Sequence, residues 1–159
     1  MKMLVTSQYL DMAYKYADGM SGCRKVAVGS VIAKDGLLLS FGANKTIPDL
    51  CHGVQGCLRF AKYGNDSKKH RDPADCRAIH SEIDAICMAA RMGNNIDGST
   101  IYVTRYPCES CAKAIVAAGI KTVYYGGTAQ ISPATQEIFE TYGVNCYFVE
   151  NWREDNTDR

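Results

Sequence analysis

Between Thr6 and Met20 the apolar residues Tyr9, Leu10, Met12, Ala13, Tyr16 and Ala17 recur close to a helical repeat, and Gly19 and Gly22 supply its stop. Val26 to Ala33 and Leu37 to Ala43 are short apolar runs joined by Lys34-Asp35-Gly36, and Asp-Gly between two such runs predicts an antiparallel hairpin. From Lys45 to Ile79 the periodicity stops: Pro48, Gly53, Gly56, Gly64 and a polar run over 67–72 replace it. A structureless loop of about 35 residues is unusual inside a domain, so this segment needs something to order it. Beyond it the pattern alternates. Ile79 to Met92 reads as a helix stopped by Gly93, Thr100 to Thr104 as a strand, and Cys108 to Ala118 as a helix stopped by Gly119. Thr122 to Tyr125 reads as a strand, Pro133 to Tyr142 as a helix with Pro early and Gly143 after it, and Val144 to Val149 as a final strand. Strands alternating with helices predict an α/β layer fold, and the opening hairpin makes its sheet mixed.

Length and composition fit that picture without adding chemistry. The 159 residues suffice for one domain, expected to span 1–150 with an insertion at 45–79 and a loose polar tail at 151–159. A net charge of +1 offers no general field for steering onto a polyanion, so a nucleic-acid polymer is a poor partner. Nowhere do eighteen consecutive apolar residues occur, and the N-terminus has no secretory pattern, so a cytoplasmic protein with no membrane partner is expected. Eight cysteines in such a chain suggest metal binding rather than disulfide staples. Cys87 and Cys146, within a predicted helix and strand, read as core residues.

The decisive pattern is His80-Ser81-Glu82 at the start of one helix and Pro107-Cys108-Glu109-Ser110-Cys111 at the start of the next. One His and two Cys give three ligands to a tetrahedral zinc and leave a fourth position open, which distinguishes catalytic from structural zinc. Glu82 can reach the same pocket without ligating and serve as a proton carrier. This is the zinc deaminase signature of H-x-E followed by P-C-x-x-C. The competing reading is a closed structural zinc with Glu82 as a helix-start carboxylate.

Carried further, the sequence resembles the deoxycytidylate (dCMP) deaminase family of the cytidine deaminase superfamily, over nearly the whole chain. Cys23, then Val28-Gly29-Ser30-Val31-Ile32, resembles the family's Cys followed by V-G-A-V-I. Ile79-His80-Ser81-Glu82-Ile83-Asp84-Ala85-Ile86 resembles I-H-A-E-x-N-A-I. Tyr102 to Lys113, followed by Gly119-Ile120-Lys121, matches Y-V-T-x-x-P-C-x-x-C-A-K and G-I-K. The resemblance implies a cytidine deaminase-like three-layer α/β/α fold with a mixed five-stranded sheet. It implies zinc on His80, Cys108 and Cys111, Glu82 as the catalytic proton shuttle, and deamination of dCMP to dUMP, a precursor of dTMP. The family's G-Y-N-G falls on Gly42-Ala43-Asn44-Lys45, which suggests Asn44 as a sugar or base contact, and Arg91 falls where some members hold the nucleotide phosphate. Asp84, Ser81 and Gly126 to Gln130 depart from the pattern, so the base chemistry is better supported than the nucleotide. A nucleoside, free base or single-stranded nucleic acid remains an alternative substrate, and a non-catalytic zinc module an alternative role.

The insertion has its own likeness, to bacterial and phage members carrying a second, structural zinc. That likeness implies Cys23, Cys51 and His70 as ligands, with Cys76 as the fourth and Cys57 or His52 as substitutes. The resemblance also implies a homo-oligomer, a hexamer in many members, with allosteric regulation by dCTP and dTTP.

Overall fold

Helix α1 (Lys2–Met20) leads into strands β1 (Gly29–Lys34) and β2 (Leu37–Ala43). A short helix α2 (Leu58–Tyr63) precedes α3 (Ser81–Met92), β3 (Thr100–Val103), α4 (Glu109–Ala117), β4 (Thr122–Tyr125), α5 (Pro133–Tyr142) and β5 (Asn145–Phe148). The computed structural model describes residues 2–23, 25–46, 51, 56–64, 76–127, 131–150 and 152. The strands form one mixed sheet in the order β2-β1-β3-β4-β5, antiparallel across β2, β1 and β3 and parallel across β3, β4 and β5.

Period-two alternation divides the strand residues between two cores. Ile32, Ile101, Val103, Val123 and Tyr125 point to one face, where Ala85 and Ala89 of α3, Ala112 and Ile115 of α4 and Phe139 of α5 cover them. Val31, Ala33 and Tyr102 point to the other, where Leu10 and Ala13 of α1 pack. The result is the expected three-layer α/β/α fold with a mixed five-stranded sheet. The Asp-Gly prediction also holds: Asp35 (φ 52°) and Gly36 (φ 78°) both adopt the left-handed backbone a two-residue hairpin turn requires.

Several expectations are corrected. The predicted strand over Val26 to Val28 is absent from the ladder, because the Asn44 side chain takes up that backbone: Val28 N–H donates to Asn44 Oδ1 (2.9 Å) and Asn44 Nδ2 donates to the Val26 carbonyl (2.8 Å). Ile79 is not helical but pairs with Lys45 in an isolated antiparallel bridge. The insertion, read as aperiodic, contains α2. Cys87 is exposed rather than core, since it sits two residues from Ala85 and from Ala89, roughly 200° around the helix from their buried face. Cys146 is half-buried against the core, as predicted.

The tail is not loose throughout: Trp152 is only 7% exposed. Its indole N–H donates to Asp11 Oδ1 (3.1 Å), and its ring packs edge-on against Tyr14. It lies over Gly126, where a Cβ would come within 2.0 Å of the indole ring. No helix among the described residues is long and apolar enough to cross a membrane.

Candidate active site

Two helix starts meet at one end of the sheet. His80 (φ −68°, ψ 149°) is the N-cap of α3 and Cys108 (φ −75°, ψ 168°) the N-cap of α4, and neither side chain caps its helix. N-caps are usually Ser, Thr, Asp or Asn, whose oxygen satisfies the first free N–H groups. Here the side chains face each other instead. Cys108 Sγ and Cys111 Sγ each lie 3.4 Å from His80 Nδ1, and the three ligand atoms all fall within 4.8 Å of one another. Tetrahedral bonds of about 2.3 Å to sulfur and 2.05 Å to nitrogen imply an N···S edge of roughly 3.5 Å, so the donor set fits zinc. The turn before α4 is held from behind by α5, whose buried Thr135 hydroxyl donates to the Pro107 carbonyl (3.2 Å).

The electrostatics suit a cation. The hydrogen bond from Cys111 holds the Cys108 thiol down to about 4, while Cys111 itself is raised by that bond. His80 is pushed up to about 10 by its hydrogen bonds to Cys108 and then to Cys76. Glu82, in the first turn of α3, is 4% exposed and hydrogen-bonded to Cys111, and burial pushes its carboxyl above the usual carboxylate range. The Ser81 hydroxyl donates to Glu82 Oε2 (3.1 Å), and Ser81 in turn lies 2.7 Å from the Ser30 hydroxyl. A three-ligand cluster with a buried carboxyl of raised pKa beside it is an arrangement for acid–base chemistry at a metal rather than for a closed structural site.

A family model for the zinc-binding region of cytidine and deoxycytidylate deaminases matches residues 3–127. The chain belongs to this deaminase family. Among curated relatives, ComE operon protein 2 of Bacillus subtilis is 38% identical over 131 residues, covering 82% of this chain and 64% of that protein. The deoxycytidylate deaminase of Enterobacteria phage T4 is 31% identical over 186 residues, 94% of this chain and 96% of the phage enzyme. The crystal structure of dCMP deaminase from cyanophage S-TIM5 in apo form superimposes with a TM-score of 0.69 at 25% identity, covering 93% of this chain and 99% of that one. Its complex with dCMP and dUMP gives 0.70 at 24% identity, covering 93% and 98%.

Two departures from the deaminase pattern face each other. Asp84, in place of the family's Asn, accepts from Ala43 N–H (3.1 Å) and pairs with Lys45 Nζ (2.9 Å), and Lys45 stands where the pattern has glycine. Neither Lys45 nor Thr135 was singled out by sequence, because each is defined by what it meets across the fold. Asn44 is buried, with both amide atoms already bonded to the Val26–Val28 backbone, and it retains one amide proton and one oxygen lone pair. Arg91 is in the last turn of α3, eleven residues past His80 and roughly 16 Å along the axis, so the fold separates it from the metal cluster.

The residues read as a second zinc site do not come together among the described residues, where only His80, Cys108 and Cys111 form a ligand group. Cys76, read as the fourth ligand, instead hydrogen-bonds His80, which lowers its thiol from the ordinary range. Cys57 is exposed, and His52 and His70 lie outside the described residues.

Proposed function

We propose that this protein is a zinc-dependent hydrolase that deaminates a pyrimidine deoxynucleotide, dCMP to dUMP, with release of ammonia. The observation that carries the proposal is Glu82, a carboxylate buried against the His80, Cys108 and Cys111 cluster and raised by that burial so that it can hold a proton. Support for the substrate comes from the near full-length likeness to the phage T4 deoxycytidylate deaminase and from the dCMP and dUMP bound by the cyanophage enzyme.

His80, Cys108 and Cys111 would hold the ion, which when bound supplies Lewis acidity that brings the pKa of water to about 7. Glu82 takes the proton that the attacking water gives up and delivers it to N3 of the cytosine ring. Once the C4–O bond has formed, Glu82 removes the proton of the new C4 hydroxyl and passes it to the amino nitrogen, so that the C4–N bond breaks, ammonia leaves and the C4 carbonyl of uracil forms. Burial suits it to this work, because a carboxyl kept above its ordinary pKa both accepts and donates near neutral pH. Asn44, clamped by its backbone bonds, would offer its remaining amide proton to the sugar or base.

Turnover of dCMP, CMP, deoxycytidine, dCTP and a cytosine-containing oligonucleotide tests the reading, with dCMP expected to have the highest kcat/KM. Efficient deamination of the oligonucleotide would overturn the substrate assignment. Glu82→Gln is expected to retain zinc and lower kcat by about 10² to 10⁴. Near-normal turnover by that variant would remove Glu82 from the chemistry.

A further inference from the structure

Ser30 of β1 and Ser81 of α3 are both fully buried, yet each occupies a position where the family pattern has alanine. Two independent Ala-to-Ser departures, separated by 51 residues in sequence, meet at 2.7 Å. A buried hydroxyl without a partner costs about 1 to 3 kcal/mol, so Ser30 without Ser81 would be a liability, whereas Ser81 supplies it with a partner. The pair also has a direction. A hydroxyl has one proton, and Ser81 directs its proton to Glu82 Oε2, so Ser30 must donate to Ser81.

We propose that Ser30 and Ser81 form a hydroxyl relay that fixes the Glu82 carboxylate for proton transfer, with both serines acting as positioning residues. The relay rests on the reading of Glu82 as proton shuttle. Without it, a two-fold rotor faces the reacting base. With it, Oε2 is pinned to an element of the sheet, which does not move with the substrate, and rotation about the terminal carboxylate bond is restricted. Freezing that rotation before substrate arrives lowers the ordering required in the transition state, so the effect belongs in kcat rather than in KM.

The test compares Ser81→Ala, Ser30→Ala and the double variant with wild type on dCMP, and repeats Ser81→Ala in the Glu82→Gln background. Ser81→Ala is expected to lower kcat by about 10- to 100-fold, the range for one hydrogen bond to a charged group, with KM within about twofold and zinc content unchanged. Ser30→Ala, which leaves Ser81 its proton but not its orientation, is expected to lower kcat less. Cutting both serines back to alanine removes the Ser30–Ser81 pair together, so the double variant is expected to lose less melting temperature than the sum of the two single variants while kcat stays low. In the Glu82→Gln background Ser81→Ala is expected to change kcat by less than about twofold. Wild-type kcat in Ser81→Ala overturns the relay while leaving the Glu82 reading intact. An equal loss in the Glu82→Gln background, or a joint fall of zinc content and melting temperature, shows ordinary packing and overturns it too. Full activity of Glu82→Gln itself removes both ideas.

Discussion

Protons, not only ligand atoms, occupy the metal cluster. Near neutral pH His80, raised to about 10, and Cys111, raised from its ordinary value, each carry one proton, while Cys108, lowered to about 4, carries none. Zinc must displace those protons, so binding is expected to release roughly two per ion between about pH 5 and 9. The sign follows: each unit of acidification adds competing protons, and apparent zinc affinity should fall by about 100-fold per pH unit in that window. Calorimetric titration of the metal-free protein in buffers of different ionisation enthalpy measures the number directly, and a release near zero would contradict it. His80, Glu82, Cys108 and Cys111 were legible in the sequence because each half-motif is local and opens a helix. The contact of Cys76 with His80 was not foreseen and Ser30 was overlooked, because what each touches is decided by tertiary packing.

At the scale of elements, β2 and α3 approach so closely that only glycine fits between them. A Cβ on Gly42 would lie 2.2 Å from the Ser81 carbonyl oxygen and 2.4 Å from Ala85 N, both backbone atoms that cannot rotate aside. Gly42→Ala should therefore force the α3 start outward, costing about 1 to 3 kcal/mol by denaturant unfolding and lowering activity with it. The same seam holds the Lys45–Asp84 ion pair, and Asp84 is also bonded to Ala43. Asp84→Asn alone should lower stability by about 0.5 to 1 kcal/mol, since the pair is only partly shielded from water. Adding Lys45→Gly, which restores the family residue at both positions, should cost less than the sum of the two single changes. A thermal-melt double-mutant cycle reads that coupling, and strict additivity would refute it. Periodicity identified these two elements, but it stopped one step short at their junction. Ile79 has the spacing of the helix that follows, yet its backbone is taken by Lys45.

Across the whole molecule, the alternation of strands and helices made a layered α/β fold with a mixed sheet predictable, since each strand's two faces must be covered by something, and the family resemblance implied the three layers. The cover supplied by Trp152 was not predictable, because a lone tryptophan in a polar tail has no periodic neighbours. Gly126, the first residue of the segment that departs from the family pattern, is where that ring rests. Gly126→Ala should displace the indole and lower the melting temperature by roughly 2 to 12 °C, as expected for about 1 to 3 kcal/mol of overpacking. In a Trp152→Ala background the same change should cost little, and an unchanged penalty there would mean that the glycine serves some other contact. The ring is also the chain's one indole chromophore, seated on the α1 side of the sheet while the metal cluster lies among the helices of the other side. Intrinsic fluorescence therefore reports from a single place. Its emission moves to longer wavelength when water reaches the seam between the first helix and the last residues, and stays fixed through events confined to the far layer.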